Sequence, residues 1–525
     1  MKTWRLAVAV LLLGLMLWPA LPAHADRPAQ VWVDDNYCLT CANDGHAWRE
    51  DAFATISDAL EQVAPGGTVH VLPGRYQEDV RITVPCNLIG EGAAGALLEP
   101  VASDVTLTVA ANSVTVRGLQ IVGGERAAIL VLGPDFQYEP IRDVTILDNV
   151  VQGGYLGIAV NVELPATMDV PWNYGQLSAT GVRIRGNTVT GCTRAIYVYH
   201  AHAEIAANAI SELNPSGIGI YSSQNSVSTI RANTVHVDVA NGRAVYVLDN
   251  EGTLVEGNTL IGTSEVLTPT TAFALSGYHD LVLSDNTVQG FYWGTNTYTG
   301  GSARIVGNTF DQTMAWALNL GTTMTMTQVL VEGNLIRGSY WGLRLDDDGG
   351  YGLHADVLGN TFVDNGIGVQ LAASLRQDQV RIHGNAICGN LVAGLRNESM
   401  ATVDATENWW GANDGPRPTG SGDRVEGAGA VNVQPWMRIT AGVDREPDGR
   451  VRITARLGGI NYYLPERLLT FTTDRGTFME TGGKGRTTLT DSLGSAQATL
   501  TPLDGEWATV NISNSCGLGL AVMVR

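Results

Sequence analysis

Three consecutive aspartates, Asp346, Asp347 and Asp348, follow the alternating stretch "WGLRL" and precede a pair of glycines. Neighbouring carboxyl groups resist joint ionisation, which raises the pKa of one of them, and clusters of carboxylates also bind Ca²⁺. Arg344 stands just before the run and could stabilise negative charge that develops on a sugar. These residue types predict a catalytic group of Arg344, Asp346 and Asp347, or a calcium site formed by the three aspartates. A solvated turn is the competing interpretation.

Polar and aromatic residues recur in the register of Arg344. If Leu343 and Leu345 point into a core, the alternation of a strand turns Arg344 and Asp346 outward. An outward column of this kind suits a glycan, because amides and arginine bond hydroxyl groups while aromatic rings contact sugar rings. An ordinary solvent face can carry the same residues, so both interpretations stay open. The predicted substrate-binding columns contain Tyr197, Tyr199, Tyr246, Asn296, Tyr298, Asn319, Arg344 and also Gln370.

Tryptophans recur in three successive segments, as Trp293, Trp316 and Trp341. Tyr292 and Tyr340 immediately precede the first and the last of them. Rings that point inward would form an aromatic stack, whereas rings that point outward would form a platform for sugars. The sequence does not choose between these alternatives, and the second adds Trp293 and Trp341 to the predicted substrate-binding residues.

A repeat of about 25 residues must position these side chains. Its period, with short β-branched runs around one asparagine per unit, predicts an all-β fold, a parallel β-helix of about twelve coils. The asparagine is expected to adopt the left-handed backbone conformation that turns the chain, and to bond through its amide to the next coil. The repeated residues are Asn149, Asn187, Asn208, Asn233, Asn258, Asn286, Asn308, Asn334, Asn360, Asn385 and Asn408.

Both ends of such a solenoid need caps, because open ends expose apolar core and unpaired strand edges. An N-terminal cap over about residues 26–66 is predicted to contain a short helix with one apolar face, which ends before Pro65. That face consists of Phe53, Ile56, Leu60 and Val63.

A C-terminal cap is predicted over about residues 404–437, where glycine, proline and bulky side chains break the period. Trp409, Trp410 and Trp436 are expected to form a hydrophobic plug, with a ligand site as the alternative.

Several segments carry a family resemblance. The stretch "FATISDALEQVAPGGTVHVLPGRYQEDVRI", the repeated "GNTV" and the segment that begins "NWWG" resemble right-handed parallel β-helix proteins of the pectin-lyase-like superfamily, including NosD-like and CASH-type chains. The resemblance covers about residues 30–437 and implies that fold. Members include polysaccharide lyases, pectin methylesterases, polygalacturonases, epimerases, phage tailspikes and adhesins. The paired-Asp motifs of polygalacturonases and the Arg-x-Pro-x-x-Arg pattern of pectate lyases are missing, which leaves the activity open.

Residues 438–525 have a different pattern, with short alternating strands and turn signals such as Asp474-Arg475-Gly476. The stretches "LLTFTTDRGTF" and "DSLGSAQATL" resemble bacterial Ig-like domains of the invasin and intimin type. The resemblance implies a small β-sandwich that spaces the solenoid or attaches it to a cell envelope.

The chain opens with the pattern of a secretory signal: Lys2 and Arg5, an apolar run, and Ala23 and Ala25 at a cleavage site. Removal of residues 1–25 is therefore predicted, which makes the protein secreted, extracellular or bound to the cell surface. The remainder contains no apolar run long enough to cross a bilayer, so membrane insertion is not expected.

The formal net charge is −20, and residues 441–525 carry nine acidic and nine basic side chains. The excess negative charge therefore lies in the repeat region, which excludes nucleic acid as a partner. It also disfavours a polyanionic glycan unless a cation such as calcium bridges the two surfaces.

Cys38 and Cys41 lie in a polar N-terminal segment, with Cys86 further along the chain. Export permits disulfides, so a disulfide or a free thiol is the favoured interpretation. A metal site of the two cysteines with His46 is the alternative.

Together these features predict a secreted protein that binds extracellular polysaccharide along one face of a rod. A polysaccharide lyase or glycoside hydrolase is the first alternative, and a structural or adhesive surface protein is the second.

Overall fold

In the computed structural model, the chain forms a parallel β-solenoid followed by two antiparallel sheets. Successive coils add strands to three long sheets, and strands pair in parallel with their counterparts in the next coil, with one break in the third sheet. No helix in the described part of the chain is long and apolar enough to cross a membrane. Residues 1–25 lie outside that part, which comprises residues 27–92, 95–101, 104–132, 140–161, 179–263, 269–321, 326–375, 379–503, 505–514 and 516–525.

The three sheets of the solenoid are named A, B and C. Within the described ranges, sheet A contains the strands Gln30–Val33, Ala52–Phe53, Gly67–Val71, Cys86–Gly90, Thr115–Arg117, Ile141–Arg142, Thr145–Leu147, Ala179–Arg185, Ala201–Ala206, Val227–Arg231, Leu254–Glu256, Leu281–Ser284, Ser302–Val306, Thr327–Glu332, Leu353–Leu358, Gln379–His383, Val403–Asp404 and Val431–Asn432. Sheet B contains Gly74–Gln77, Ala96–Glu99, Leu119–Val122, Val150–Gln152, Thr188–Thr190, Ala209–Ser211, Thr234–Val237, Thr259–Gly262, Thr287–Gln289, Thr309–Asp311, Leu335–Arg337, Thr361–Val363 and Ala386–Cys388.

Sheet C runs in two parts. The first contains Val80–Ile82, Val105–Val109, Ala127–Val131, Leu156–Val160, Arg194–Tyr199, Ile218–Ser223, Arg243–Leu248, Thr271–Ser276 and Trp293–Thr297. The second contains Trp316–Gly321, Trp341–Asp346, Ile367–Leu371, Ala393–Asn397, Pro416–Arg417 and Gly422–Gly427. The hydroxyl groups of Thr295 and Thr297 accept hydrogen bonds from backbone N–H groups of the next strand, at 2.8 and 3.0 Å, and so join the two parts.

Alternation along the strands places β-branched and leucine side chains from all three sheets in one continuous hydrophobic core. Leu343 and Leu345 are fully buried in it, as the sequence predicts. The expected all-β parallel solenoid is thereby confirmed. Sheet B gains one strand per coil and numbers 13 strands within the described residues, one more than the predicted twelve coils.

The repeated asparagines form a continuous hydrogen-bonded ladder from Asn149 to Asn408. At a typical step, the backbone N–H and the Nδ2 of Asn233 each donate to Oδ1 of Asn258 at 2.9 Å. The predicted structural role is therefore confirmed, but the predicted backbone conformation is wrong. The left-handed residue is the one before the ladder asparagine, such as Ala232 with φ of 52°. That residue makes the turn, so the asparagine side chain can point inward and bridge two coils.

A short helix, Ile56–Gln62, lies at the N-terminal end of the solenoid; the only other helix in the described residues is the 3-10 turn Asn43–Gly45. Thr55 caps the helix by accepting from the N–H of Asp58, and the carboxylate of Glu78 accepts from its first two N–H groups. Ile56, Leu60 and Val63 are buried in the main core, the first two within the helix and Val63 at its C-cap. Phe53 is buried there too, but it lies on the strand Ala52–Phe53, so its predicted place on the helix face is wrong.

Two adjacent tryptophans lie in different cores at the C-terminal end of the solenoid. Trp410 belongs to the core of the solenoid, and Trp409 belongs to the core of the segment that follows. Trp436 is half-buried and donates its indole N–H to the carbonyl of Asn413 at 3.1 Å. These contacts favour the predicted hydrophobic role over a ligand site for all three rings.

Residues 438–525 form two antiparallel sheets that share a second hydrophobic core. One sheet contains Arg438–Arg445, Val451–Gly458, Thr477–Phe478 and Ser495–Thr501, and the other contains Leu468–Thr473, Gly485–Leu489, Ala508–Asn514 and Gly517–Val524. The buried carboxylate of Glu407 fixes them to the solenoid, because it accepts from the backbone N–H of Asn461 at 2.7 Å and of Tyr462 at 3.1 Å. The Ig-like assignment and the domain boundary stay predictions.

Disulfides lie at both ends of the molecule. Cys38 and Cys41 form a disulfide, as the favoured interpretation of the N-terminal segment allows. The imidazole of His46 is hydrogen-bonded to the carboxylate of Asp51. Cys388 of sheet B is bonded to Cys516, which ties the C-terminal sheets to the solenoid.

Candidate functional site

The outward columns predicted for sheet C are present as pairings between neighbouring strands. Tyr197 pairs with Tyr221 and then with Tyr246, and the same column continues through Ala274 to Asn296. Further along, Asn319 pairs with Arg344 and Arg344 with Gln370. The predicted register is therefore correct across both parts of the sheet.

Tyr221 is missing from the sequence prediction although its signal is present. It stands 13 residues after Asn208, the same spacing that separates Tyr246 from Asn233. It completes a stack named the tyrosine ladder, which consists of Tyr197, Tyr221 and Tyr246. The ring centroids lie 5.1 and 4.8 Å apart along it.

Most of the tyrosine ladder is covered. Tyr197 is only 3% exposed and Tyr221 9%, and the guanidinium of Arg194 lies about 5 Å from both ring centroids. The prediction that Tyr197 offers a substrate-binding surface is therefore wrong, because an outward position in this part of the sheet is not a solvent position. Tyr199 and Tyr246 are half-buried, and burial raises the pKa of the Tyr246 hydroxyl above its usual range.

Trp293, Trp316 and Trp341 form a second stack, the tryptophan ladder, with ring centroids 5.9 and 5.4 Å apart. Each ring is half-buried on the outer side of sheet C. The residue after each tryptophan is Gly or Ala and points inward; a Cβ on Gly294 would lie 2.2 Å from a carbonyl oxygen of the next coil. The rings thus combine the two alternatives, since they face outward and also stack on one another.

Stacking limits what the tryptophan ladder offers to a ligand. Trp316 has a neighbouring ring on both sides, so its outer edge is its main accessible part. Tyr340 contacts Trp341 edge to face at 4.2 Å and is 54% exposed, which adds an apolar surface beside the ladder.

Arg344 connects the tryptophan ladder to the acidic run. Its guanidinium lies 5.9 Å from the centroid of Trp316, donates to Oδ1 of Asn319 at 3.2 Å, and is paired with the carboxylate of Asp346. Burial raises the pKa of Asp346, and the positive charge of Arg344 partly opposes that rise. Arg344 and Asp346 are therefore together, as predicted, in a largely desolvated pair. Their catalytic role stays a prediction.

The other two aspartates do not join them. Asp347 is buried and its carboxylate accepts from the backbone N–H groups of Tyr351 and Gly352, at 2.9 and 3.2 Å, which closes the turn. Asp348 is exposed. No three acidic, histidine or cysteine side chains in the described residues converge to hold a metal ion. The calcium prediction for Asp346, Asp347 and Asp348 is thus wrong on geometry, and the turn interpretation explains Asp347.

The remaining predicted residues lie beside the tryptophan ladder. Asn296 donates to the hydroxyl of Tyr298 at 3.3 Å, and Tyr298 is 42% exposed. Gln370 is nearly buried and donates to Glu398 at 3.0 Å, while its Oε1 has no partner in the described part of the chain. We name as the open face the half-buried and exposed residues Trp293, Asn296, Tyr298, Trp316, Asn319, Tyr340, Trp341 and Arg344.

Similarity to known proteins bears on the fold. The family model described as "Right handed beta helix region" matches residues 176–336, a range that includes strands of all three sheets. The solenoid is a right-handed β-helix. No curated protein sequence matches the chain.

Solved β-helix structures are similar to this one at low sequence identity. A DFA-IIIase from Arthrobacter chlorophenolicus is 13% identical, with 71% of this chain and 90% of that chain covered and a TM-score of 0.36. The A-module of a mannuronan C-5 epimerase from Azotobacter vinelandii is 11% identical, covers 72% and 94%, and gives 0.34. A pectin methylesterase from Erwinia chrysanthemi is 10% identical, covers 51% and 80%, and gives 0.29. Similarity at this level says nothing about the activity of the β-helix described here.

Proposed function

We propose that the β-helix binds an extended extracellular polysaccharide along the open face. The observation that carries the proposal is the parallel register of sheet C, which repeats one outward side chain in every coil. Neighbouring strands lie about 4.8 Å apart, so the polar and aromatic groups form rows that run along the rod. A linear polymer of sugars offers repeated hydroxyl groups to such rows.

The side chains of the open face match that chemistry. Tyr298, Asn319 and Arg344 supply donors and acceptors for hydroxyl groups. The indole edges and the ring of Tyr340 supply apolar contact for the carbon-bound hydrogens of sugars. Arg344 also lies over the Trp316 ring, so hydrogen bonding and apolar contact meet at one position.

Location outside the cell is part of this proposal. It rests on the signal-like pattern of residues 1–25. Residues 438–525 would then attach the solenoid to the cell envelope. Antibody detection of the intact chain in culture medium or on the cell surface tests it, and retention inside the cell would contradict it.

Binding is tested with an array of neutral and uronate polysaccharides and the double variant Trp316→Ala/Arg344→Ala. Loss of an aromatic contact and of a charged hydrogen-bond donor together predicts a decrease in affinity of about 30-fold or more. Thr229→Ala, an outward position on sheet A, is the matched control and should bind as the wild type does. Wild-type affinity in the double variant would refute the open face as the site.

Glycoside hydrolysis is a second candidate, because two carboxylates occupy one column of sheet C. Backbone bonds from Ala372 N to Leu345 O and from Glu398 N to Leu371 O continue the register and place Asp346, Ala372 and Glu398 in line. Two strand spacings separate the backbones of the two acids by about 9.6 Å, and Ala372 directly follows the strand that lies between them. The Glu398 carboxylate accepts from Nε2 of Gln370 on that strand at 3.0 Å. Inverting glycosidases use carboxyl groups about 6.5–9.5 Å apart.

Release of reducing ends from the polysaccharides that the array identifies tests this second candidate. Hydrolysis that disappears in Glu398→Gln, while binding persists, would support the pair. Binding without any product from the wild type would leave the protein a binding module.

A further inference from the structure

A groove of about 500 Å³ crosses the outer side of sheet A, on the same coils that carry the tryptophan ladder. It spans the five consecutive strands from Leu281–Ser284 to Gln379–His383. Four strand spacings make it about 19 Å long. We name it the sheet A groove. Its lining includes Arg304, Gln328, Leu330, His354, Asp356 and Arg381.

One row of the groove consists of hydrogen-bonding side chains in register. Ser302 pairs with Gln328, Gln328 with His354, and His354 with Gln379. Within the described residues, the side chains of Gln328, His354 and Gln379 make no hydrogen bond to protein. Three successive coils therefore present two amides and an imidazole whose donors and acceptors are available to a ligand.

The second row contains Arg304, Leu330, Asp356 and Arg381. Asp356 and Arg381 satisfy each other through two bonds of 2.6 and 2.7 Å. Arg304, in contrast, has no acidic partner in the parts of the chain that the structure describes, and half-buried Leu330 follows it in the row. A free guanidinium beside an aliphatic side chain can bond hydroxyl groups while the aliphatic group contacts a sugar ring.

Earlier coils of the same sheet show what an ordinary solvent row contains. There Glu204 accepts from both Arg185 and Arg231, so the charged side chains satisfy one another. The sheet A groove differs because the amides and imidazole of its first row face solvent without bonding to other side chains in the described residues, and because its surface is concave.

The chemistry of the groove favours a glycan over a peptide. Each of its strands is paired on both sides, so no strand edge is free to bind a peptide by strand addition. Apart from the imidazole of His354, no aromatic side chain is among its lining residues in the described part of the chain, so peptide side chains would find no apolar anchor. Asp280 and Asp356 balance Arg304 and Arg381, which makes the groove neutral in a chain of net charge −20.

We infer that the sheet A groove is a second oligosaccharide-binding site, which makes the β-helix bivalent for polysaccharide. The inference rests on the proposed function for its class of ligand, but it adds a site on a different sheet. A rod with two such faces on the same coils can hold two polysaccharide chains side by side. Bivalent binding then cross-links a polymer that a single face would only coat.

The test uses the intact protein with soluble mixed-linkage β-glucan and with alginate, each as a polymer and as a hexasaccharide. Calorimetry with the hexasaccharide measures the number of sites, and light scattering with the polymer measures cross-linking. The groove variant is Arg304→Ala/Gln328→Ala/His354→Ala, the open-face variant is Trp316→Ala/Arg344→Ala, and Thr229→Ala is the control. Circular dichroism confirms that each variant retains β-structure.

We expect two sites and cross-linking in the wild type and the control, and one site without cross-linking in each of the other variants. Two sites and full cross-linking in the groove variant would overturn the inference and leave the proposed function intact. If the wild type has a single site and the open-face variant has none, the inference is also overturned and the proposed function is left intact. Absence of binding to both polymers in the wild type would remove the second site and the proposed function together.

Discussion

The tyrosine ladder and the tryptophan ladder occupy the same side of sheet C and have nearly the same geometry. Their rings stack with centroids 4.8 to 5.9 Å apart, one ring per coil. Tyr197 and Tyr221 nevertheless lie under Arg194 and are almost fully buried, whereas all three tryptophans keep an exposed edge. Stacked aromatic columns are thus a consequence of parallel register, and only their covering decides whether they stabilise the fold or can contact a ligand.

The largest expected difference between the ladders is in stability. Tyr221→Ala should lower the free energy of unfolding by about 3 kcal/mol, because it opens a cavity between buried Tyr197 and half-buried Tyr246. Trp316→Ala should lower it by about half as much, since that ring is already half in water. Urea denaturation with hydrogen exchange of the flanking coils measures both effects, because a repetitive fold need not unfold in two states. Equal losses would show that the two ladders are equally structural.

The second difference is in ligand binding. Trp316→Ala should weaken binding of the polysaccharide found by the array by about 10-fold, the typical effect of a lost aromatic contact. Tyr221→Phe, which keeps the buried ring, should leave the affinity unchanged. Affinity electrophoresis measures both variants against the wild type. A loss in Tyr221→Phe equal to that in Trp316→Ala would place the ligand on the covered ladder.

The positive charge over the tyrosine ladder can be removed without removing the side chain. Arg194→Met places an unbranched apolar side chain there and takes the cation away from the faces of Tyr197 and Tyr221. We expect a loss of stability of about 1 kcal/mol from the missing cation–π contacts. The matched change Arg344→Met on the open face should affect glycan affinity more than stability. The midpoint of urea denaturation and the glycan affinity are measured on both variants. Equal losses of stability and equal losses of affinity in the two variants would contradict this expectation.

The smallest effect distinguishes the ladders by pH. Burial raises the pKa of Tyr246, so its contribution to stability is complete below the unfolded value of about 10 and is lost as the pH rises through the higher folded value. Tyr246→Phe should remove only this share of the alkaline loss, because burial also raises the pKa values of Tyr76 and Tyr278, and it should change stability by only a few tenths of a kcal/mol at neutral pH. Indole rings do not titrate in this range, so Trp316→Phe should retain the loss. Denaturation at pH 8 to 12 measures the three curves.

Local patterns explain how much of the fold was predictable. The asparagine period indicated the coils, and the alternation around Leu343 and Leu345 indicated which side chains enter the core. The conformation of the ladder asparagines could not be derived in the same way, because the left-handed residue before them is Gly, Ala, Asp or Glu at different coils, so no single residue type marks it. The bonds by which Asp347 closes its turn could not be derived either, because they go to backbone N–H groups, which the sequence does not display.

The sequence by itself determined the parallel register, and with it the columns that contain Tyr197, Asn319 and Arg344. A strand alternates with a period of two, and a repeat of nearly constant length brings equivalent residues together in successive coils. Tertiary structure decided which outward residues meet water. Exposure depends on what packs against the outer side of the sheet, where Leu130, Leu156 and Ile218 form one apolar cluster with Tyr197 and Tyr221. Which outward side chains come together in this way follows no period that a single sequence records. The same separation applies to Trp409 and Trp410, whose burial the sequence indicated but whose membership of two different cores only the packed molecule defines.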